Sequence, residues 1–239
     1  MLKKFLILTK KELAAYFDSA VAYIFTAIFL IVSNWLFFQQ FFILGQVNMR
    51  VYFVYLPWIL IFLLPSITMR LLSEEKKSGT IEIILTLPIS ETMIVLAKFL
   101  ASWLFLSFML ALSLTIPLTL ASLGDLEIGP VIGSYVGSLL MAGVYLALGL
   151  FVSAITKNQI ISFVLALSLG FVWWLVGTSF VTESAPVFLA SVLQLFSPMS
   201  HWQNSLKGLI DTRDLVFYFS LTIFWLYLTI LTLSVRRWR

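Results

Sequence analysis

Six apolar runs of roughly 20 residues, separated by short polar stretches, constrain this 239-residue chain more than any other feature. A helix crossing a bilayer core needs about 20 residues, and the runs fall at residues 21–44, 52–72, 92–120, 131–156, 159–182 and 215–235. Hydrophobic residues make up 61% of the chain and charged residues 11%, against about 45–50% and about 25% in soluble domains. A water-soluble fold of this size could not hide that much apolar surface. In lipid the backbone must satisfy its own hydrogen bonds, which favours helices for segments of this length. The expected fold class is an all-α integral membrane protein with six transmembrane helices, forming one domain over residues 1–239. The third run exceeds the bilayer thickness, so Lys98 is expected at one end of it and a tilt or kink near Pro117 at the other.

Orientation follows from the basic residues. With the N-terminus inside, 12 of the 15 Lys and Arg residues lie inside and only Arg50, Lys207 and Arg213 lie outside. The expectation is a multi-pass protein of the cell (inner or cytoplasmic) membrane with both termini cytoplasmic. The net charge of +4 is then a topology signal, and no nucleic-acid partner is expected. At the N-terminus the apolar run 5–8 is broken by Lys10, Lys11 and Glu12, too short for a signal-peptide core, so the segment is expected to be retained. Lys3, Lys4, Lys10 and Lys11 share one helical face, and Leu2, Phe5, Leu6, Leu13, Tyr16 and Phe17 the other, as in a helix lying at the lipid interface over residues 1–18.

Several chemistries are excluded or disfavoured. The chain has no cysteine and one histidine, which removes disulfides, thiolate metal sites and His-rich metal sites. It has no G-x-x-x-x-G-K-[ST] phosphate loop. No cofactor is expected in this chain, and no catalytic acid, base or nucleophile set is apparent, so it does not read as an enzyme. Ion-driven carriers keep ionisable groups at mid-membrane depth; here the mid-span polar groups are residues such as Ser33, Asn34, Ser107, Ser113, Ser138 and Ser168. Small residues recur at Gly129, Gly133 and Gly137 and at Ser162, Ala166 and Gly170, spacings that allow close helix packing.

The segment 73–90 has its own start and stop signals. Ser78 and Gly79 can end a helix, Thr80 can cap a new one, Glu82 sits in its first turn where the dipole favours an anion, and Pro88 closes it. A helix of about two turns cannot stand alone in water and needs a receiving surface. Glu75, Gly79, Thr80, Ile81, Glu82, Leu85, Pro88 and Lys98 resemble the E-x-x-x-G-T-[IL]-E-x-[IL]-L-x-x-P-[IV]-[ST] pattern, followed by a Lys, of type 2 ABC transporter permeases. Ser197, Pro198, His201, Trp202, Lys207, Gly208, Asp211, Arg213, Asp214 and Tyr218 are similar to a segment of the gliding-motility branch of that family.

The resemblance implies a transmembrane permease subunit of an exporter. Glu74, Glu75, Gly79, Thr80, Glu82 and Pro88 would form a coupling segment against cytoplasmic ABC ATPase subunits, which would bind ATP and Mg. A second copy or a related permease, membrane lipid and an extracytoplasmic accessory protein are the other implied partners, and residues 1–18 would be the elbow helix. A non-transporting scaffold that transmits ATPase motion to an envelope or motility machine is the alternative. The outer segment 183–214 carries an apolar run, 187–196, broken at Ser197-Pro198. Re-entrant helices and helices lying flat on the surface both fit it. His201, beside Trp202, reads as a structural hydrogen-bonding residue.

Overall fold

The computed structural model describes residues 2–86, 89–184, 186–209 and 211–237, and among them the regular structure is entirely helical. The helices are α1 (Leu2–Phe17), α2 (Ala20–Leu44), α3 (Arg50–Thr68), α4 (Ser73–Ser78), α5 (Thr80–Thr86), α6 (Glu91–Leu112), α7 (Thr115–Leu123), α8 (Ile128–Ile155), α9 (Gln159–Leu175), α10 (Ser179–Ser184), α11 (Val187–Leu195), α12 (Pro198–Leu206) and α13 (Thr212–Arg237). Five apolar stretches, Ala20–Ile43, Arg50–Ser78, Glu91–Leu123, Ile128–Ile155 and Thr212–Val235, are long enough to cross a membrane, and α9 is a shorter sixth. The all-α, multi-span expectation therefore holds.

Short polar residues start the spans. Ser19 accepts from the Val21 amide, Ser90 from Met93 and Asn158 from Ile160, each supplying an acceptor to a helix start. The third span is interrupted between α6 and α7. Pro117 has no amide to offer the Ser113 carbonyl, which instead accepts from Ile116, while the Ser113 hydroxyl meets the Tyr135 hydroxyl at 3.0 Å. The fifth span ends at Leu175 instead of reaching 182. Just beyond that end Gly177 lies against the start of α12, where a Cβ would stand 1.6 Å from Ser197 Oγ.

α8 is the central post, buried along most of its length and packed by α3, α6, α9, α12 and α13. The small-residue stripes serve packing within this chain. Gly133 and Gly137 face α12 and the turn after it, where an added Cβ would meet Gly208 Cα at 2.7 Å and Ser205 Oγ at 2.4 Å, and Gly170 faces Tyr145 of α8. At the other end Gly149 admits Thr68 of α3.

α1 packs along α6, with Tyr16 and Phe105 rings stacked at 4.9 Å. One side of the helix packs on the bundle and the other is open. Thr9 is buried and its hydroxyl bonds to the Phe5 carbonyl at 3.1 Å, whereas Leu2 and Leu6 stay exposed.

A Cβ on Gly149 would stand 2.1 Å from Thr68 Oγ1. Gly149→Val should therefore destabilise the protein by about 1–3 kcal/mol through overpacking, read as a loss in unfolding free energy in detergent. Adding Thr68→Ala should restore part of it, because the two side chains compete for one space.

Candidate functional site

The two ends of the bundle carry different polar constructions. At one end, α3 runs through a turn at residues 69–72 into α4. That turn is clasped to α8: the Leu72 and Ser73 amides donate to Ser153 Oγ at 3.1 and 3.0 Å, and Ser153 Oγ donates to the Met69 carbonyl at 3.3 Å. The Ser73 hydroxyl donates to the same carbonyl. The clasp closes the unpaired groups of a helix end in a buried place, where leaving them open would be costly. Nothing in the sequence marks Ser153, one serine in an apolar run.

α4 ends as expected at Gly79, whose φ of 74° suits glycine. Thr80 does not cap α5 through its side chain: its hydroxyl meets Ser78 Oγ at 2.9 Å and reaches back to the Glu75 carbonyl at 3.4 Å. This stitches α5 to α4 while the Glu82 amide bonds to the Gly79 carbonyl at 3.2 Å. Ile81 is buried in a cluster with Leu71, Leu72, Val95, Leu150 and Leu233. The opposite face of α5, with Glu82, Ile83 and Thr86, is exposed, as are Glu74, Ser78 and Thr80. Leu87 and Pro88 lie outside the described residues, so the closure at Pro88 does too.

Glu75 faces inward. Lys98 of α6, 3% exposed, places Nζ 2.6 Å from Glu75 Oε1 and 3.0 Å from Glu12 Oε2 of α1. One ammonium thus joins the N-terminal helix, the α4 segment and the third span. A lysine in an apolar setting requires such anions, since an unpaired buried charge carries a large desolvation cost. Glu75 Oε2 and the Tyr16 hydroxyl, both buried beside it, have no hydrogen-bond partner in the structure.

At the opposite end, the motif residues 197–214 build a frame. Ser197 is buried, accepts from the Met199 amide at 3.1 Å, and precedes Pro198 at the first turn of α12. His201 Nδ1 lies 2.5 Å from Asp214 Oδ1, its ring stacks on Phe217 at 3.9 Å, and Asn204 donates to both Asp214 oxygens. Asp214 is 4% exposed, so these bonds satisfy a buried carboxylate. Gly208, at φ 75°, fits where a Cβ would meet Gly129 backbone at 2.8 Å. Asp211 starts α13 by accepting from the Arg213 amide at 2.9 Å, and that bond first of all holds its carboxyl below the usual carboxylate range. Lys207 and Arg213 are exposed. Ile210 lies outside the described residues. Among the described residues no group of three His, Cys, Asp or Glu side chains could hold a metal ion.

Lys98→Met should lower stability by about 3 kcal/mol, because it leaves two half-buried carboxylates facing each other without their cation. The triple change Lys98→Met, Glu12→Gln and Glu75→Gln should recover most of the loss. Denaturant unfolding of purified protein in detergent measures both, and equal losses would contradict a shared ion site.

A family model described as ABC-2 family transporter protein matches residues 52–236, from α3 into α13. No curated protein matches the chain. With more than half of its length inside that family, and spans to match, the protein is a multi-pass membrane protein belonging to the ABC-2 family of transporter proteins.

Proposed function

We propose that this chain is the transport-path permease of an ATP-driven exporter, working with a second permease and two cytoplasmic ABC ATPase subunits that bind ATP and Mg. The observation that carries the reading is α5. It is a two-turn helix anchored by Ile81 on one side, with Glu82, Ile83 and Thr86 exposed on the other. A helix this short depends on what it packs against, and an exposed Ile83 beside an anion suits a partner groove with an apolar floor and a basic rim. Motion of α5 would pass through the Gly79 turn to α4, and from Glu75 through Lys98 to α1 and α6. In this reading Glu74, Thr80 and Glu82 face the ATPase, while Glu75 transmits the movement.

The exposed apolar flanks of α2 and α9 support pairing with another permease and contact with lipid. The α5 end is cytoplasmic in this proposal, because it gathers the basic residues: Lys3, Lys4, Lys10, Lys11, Lys76, Lys77 and Lys157 all belong to segments there. Placement in the gliding-motility branch, with an accessory protein outside, rests on the likeness of residues 197–218 alone.

The chain lacks cysteine, so orientation is directly measurable. Single Cys probes at Ser78, Asn158 and Ser234 should react only from the cytoplasm, and probes at Gln46, Ser122 and Ser184 only from outside. Labelling of Ser78→Cys from outside would reverse the assignment.

Glu82→Lys should weaken co-purification with the ATPase and its stimulation, since it reverses the charge offered to the partner and opposes the α5 dipole by about 0.3–1 kcal/mol. Gly79→Val should act similarly through the positive φ. Cargo flux in vesicles should survive collapse of proton and sodium gradients and stop when the ATPase is inactivated. Gradient-dependent flux by this chain alone would refute the proposal, and hydrolysis that responds to the permease without any flux would favour a scaffold.

A further inference from the structure

A cavity of about 680 Å³ lies at the α12 end between the 45–49 turn, the start of α8 and α12. Its volume falls in the range of ligand pockets, about 300–1,000 Å³. Phe53, Val131, Met199 and Leu206 give it an apolar wall. Four charges also line it, Arg50 and Lys207 against Asp125 and Glu127. These four come from three separate parts of the chain, and among the described residues none makes an ion pair within 4.0 Å. Single exposed charges mean little. Two of each sign gathered on one cavity and left unpaired are complementary to a ligand that itself carries both signs.

The cavity does not end at its charged rim. Asn48, Arg50 and Val54 are shared with a second cavity of about 410 Å³, bounded by Phe37 and Phe41 of α2 and Tyr55 of α3. Further along the same α2 and α3 seam lies a groove of about 410 Å³, lined by Phe29 and Val32 on one helix and Trp58 and Phe62 on the other. Its walls are nearly all apolar. A head with two opposite charges, followed by an apolar tail directed along this seam, is the shape of a zwitterionic phospholipid.

We propose that this region is a binding site for a zwitterionic phospholipid. The lipid phosphate is held by Arg50 and Lys207, its ammonium group by Asp125 and Glu127, and an acyl chain lies along the α2 and α3 seam. A basic pocket between helices is a recognised way to hold lipid phosphate. The two carboxylates add discrimination, because they repel a purely anionic head group. The site does not depend on which end of the protein is cytoplasmic, nor on the ATPase partnership.

The test uses purified full-length protein in detergent and three soluble probes: dihexanoyl phosphatidylcholine, dihexanoyl phosphatidylglycerol and dihexanoylglycerol. Binding is read by native mass spectrometry. The wild type should bind the phosphatidylcholine about tenfold tighter than either other probe. Arg50→Gln with Lys207→Gln should weaken it about tenfold, and Asp125→Asn with Glu127→Gln should remove the preference over phosphatidylglycerol. Glycerophosphocholine, lacking the chains, should bind more weakly than the phosphatidylcholine. Gln203 is exposed and lines the cavity, so Gln203→Cys labelled after purification with a bulky maleimide should block the site with all four charges intact. Equal wild-type binding of the three probes would overturn the proposal, as would phosphatidylcholine binding that survives the label.

Discussion

A single ammonium group, Lys98 Nζ, holds the α5 end of this protein together. It sits within 3.0 Å of carboxylates from α1 and α4 while its own backbone belongs to α6. Each partner is also held elsewhere: α1 by the Tyr16 and Phe105 stack, α4 by the hydrogen-bonded clasp on Ser153. The ion site then binds those packed pieces to one another. The Coulomb attraction has to offset the desolvation of three charges, so the arrangement contributes more to specificity than to raw stability. The site thereby ties the segment before α5 to both α1 and α6.

The opposite end uses neutralised polarity in the same way. Asp214 is buried because His201 and Asn204 satisfy it, and this fixes α12 against the start of α13. Gly133 and Gly137 let α12 lie directly on α8. The cavity beside this frame therefore has rigid walls of helix on one side and short turns on the other, which suits a site that discriminates by charge placement. His201 is consumed by this structural role, stacked on Phe217 and bonded at both ring nitrogens.

The apolar runs were enough to read the fold class, because a bilayer restricts long apolar segments to few structures. The helix break at Gly79 was equally legible. Gly79 at positive φ, the helix change on either side of it and the position of Glu82 all follow from local rules about helix ends. Where those rules ran out, a second segment had intervened. The fifth span stops at Leu175, with Ser197 packed against Gly177 just beyond it, and Thr80 turns back to Ser78 and Glu75 in place of capping α5.

The sequence by itself determined the membrane class, the span count to within the short α9, and the two-turn helix after Gly79, because each depends on residues close together along the chain. Only the tertiary structure decided that Glu75 points inward, that Thr9 and Glu12 lie on the packed face of α1, and that Ser153 holds the turn before α4. Glu12 and Lys98 are 86 residues apart, as Ser153 is 81 from Leu72. A charged residue near a span end has the same local signature whether it faces water, a partner or a buried counter-ion. Which of these it meets is set by the helices that pack around it.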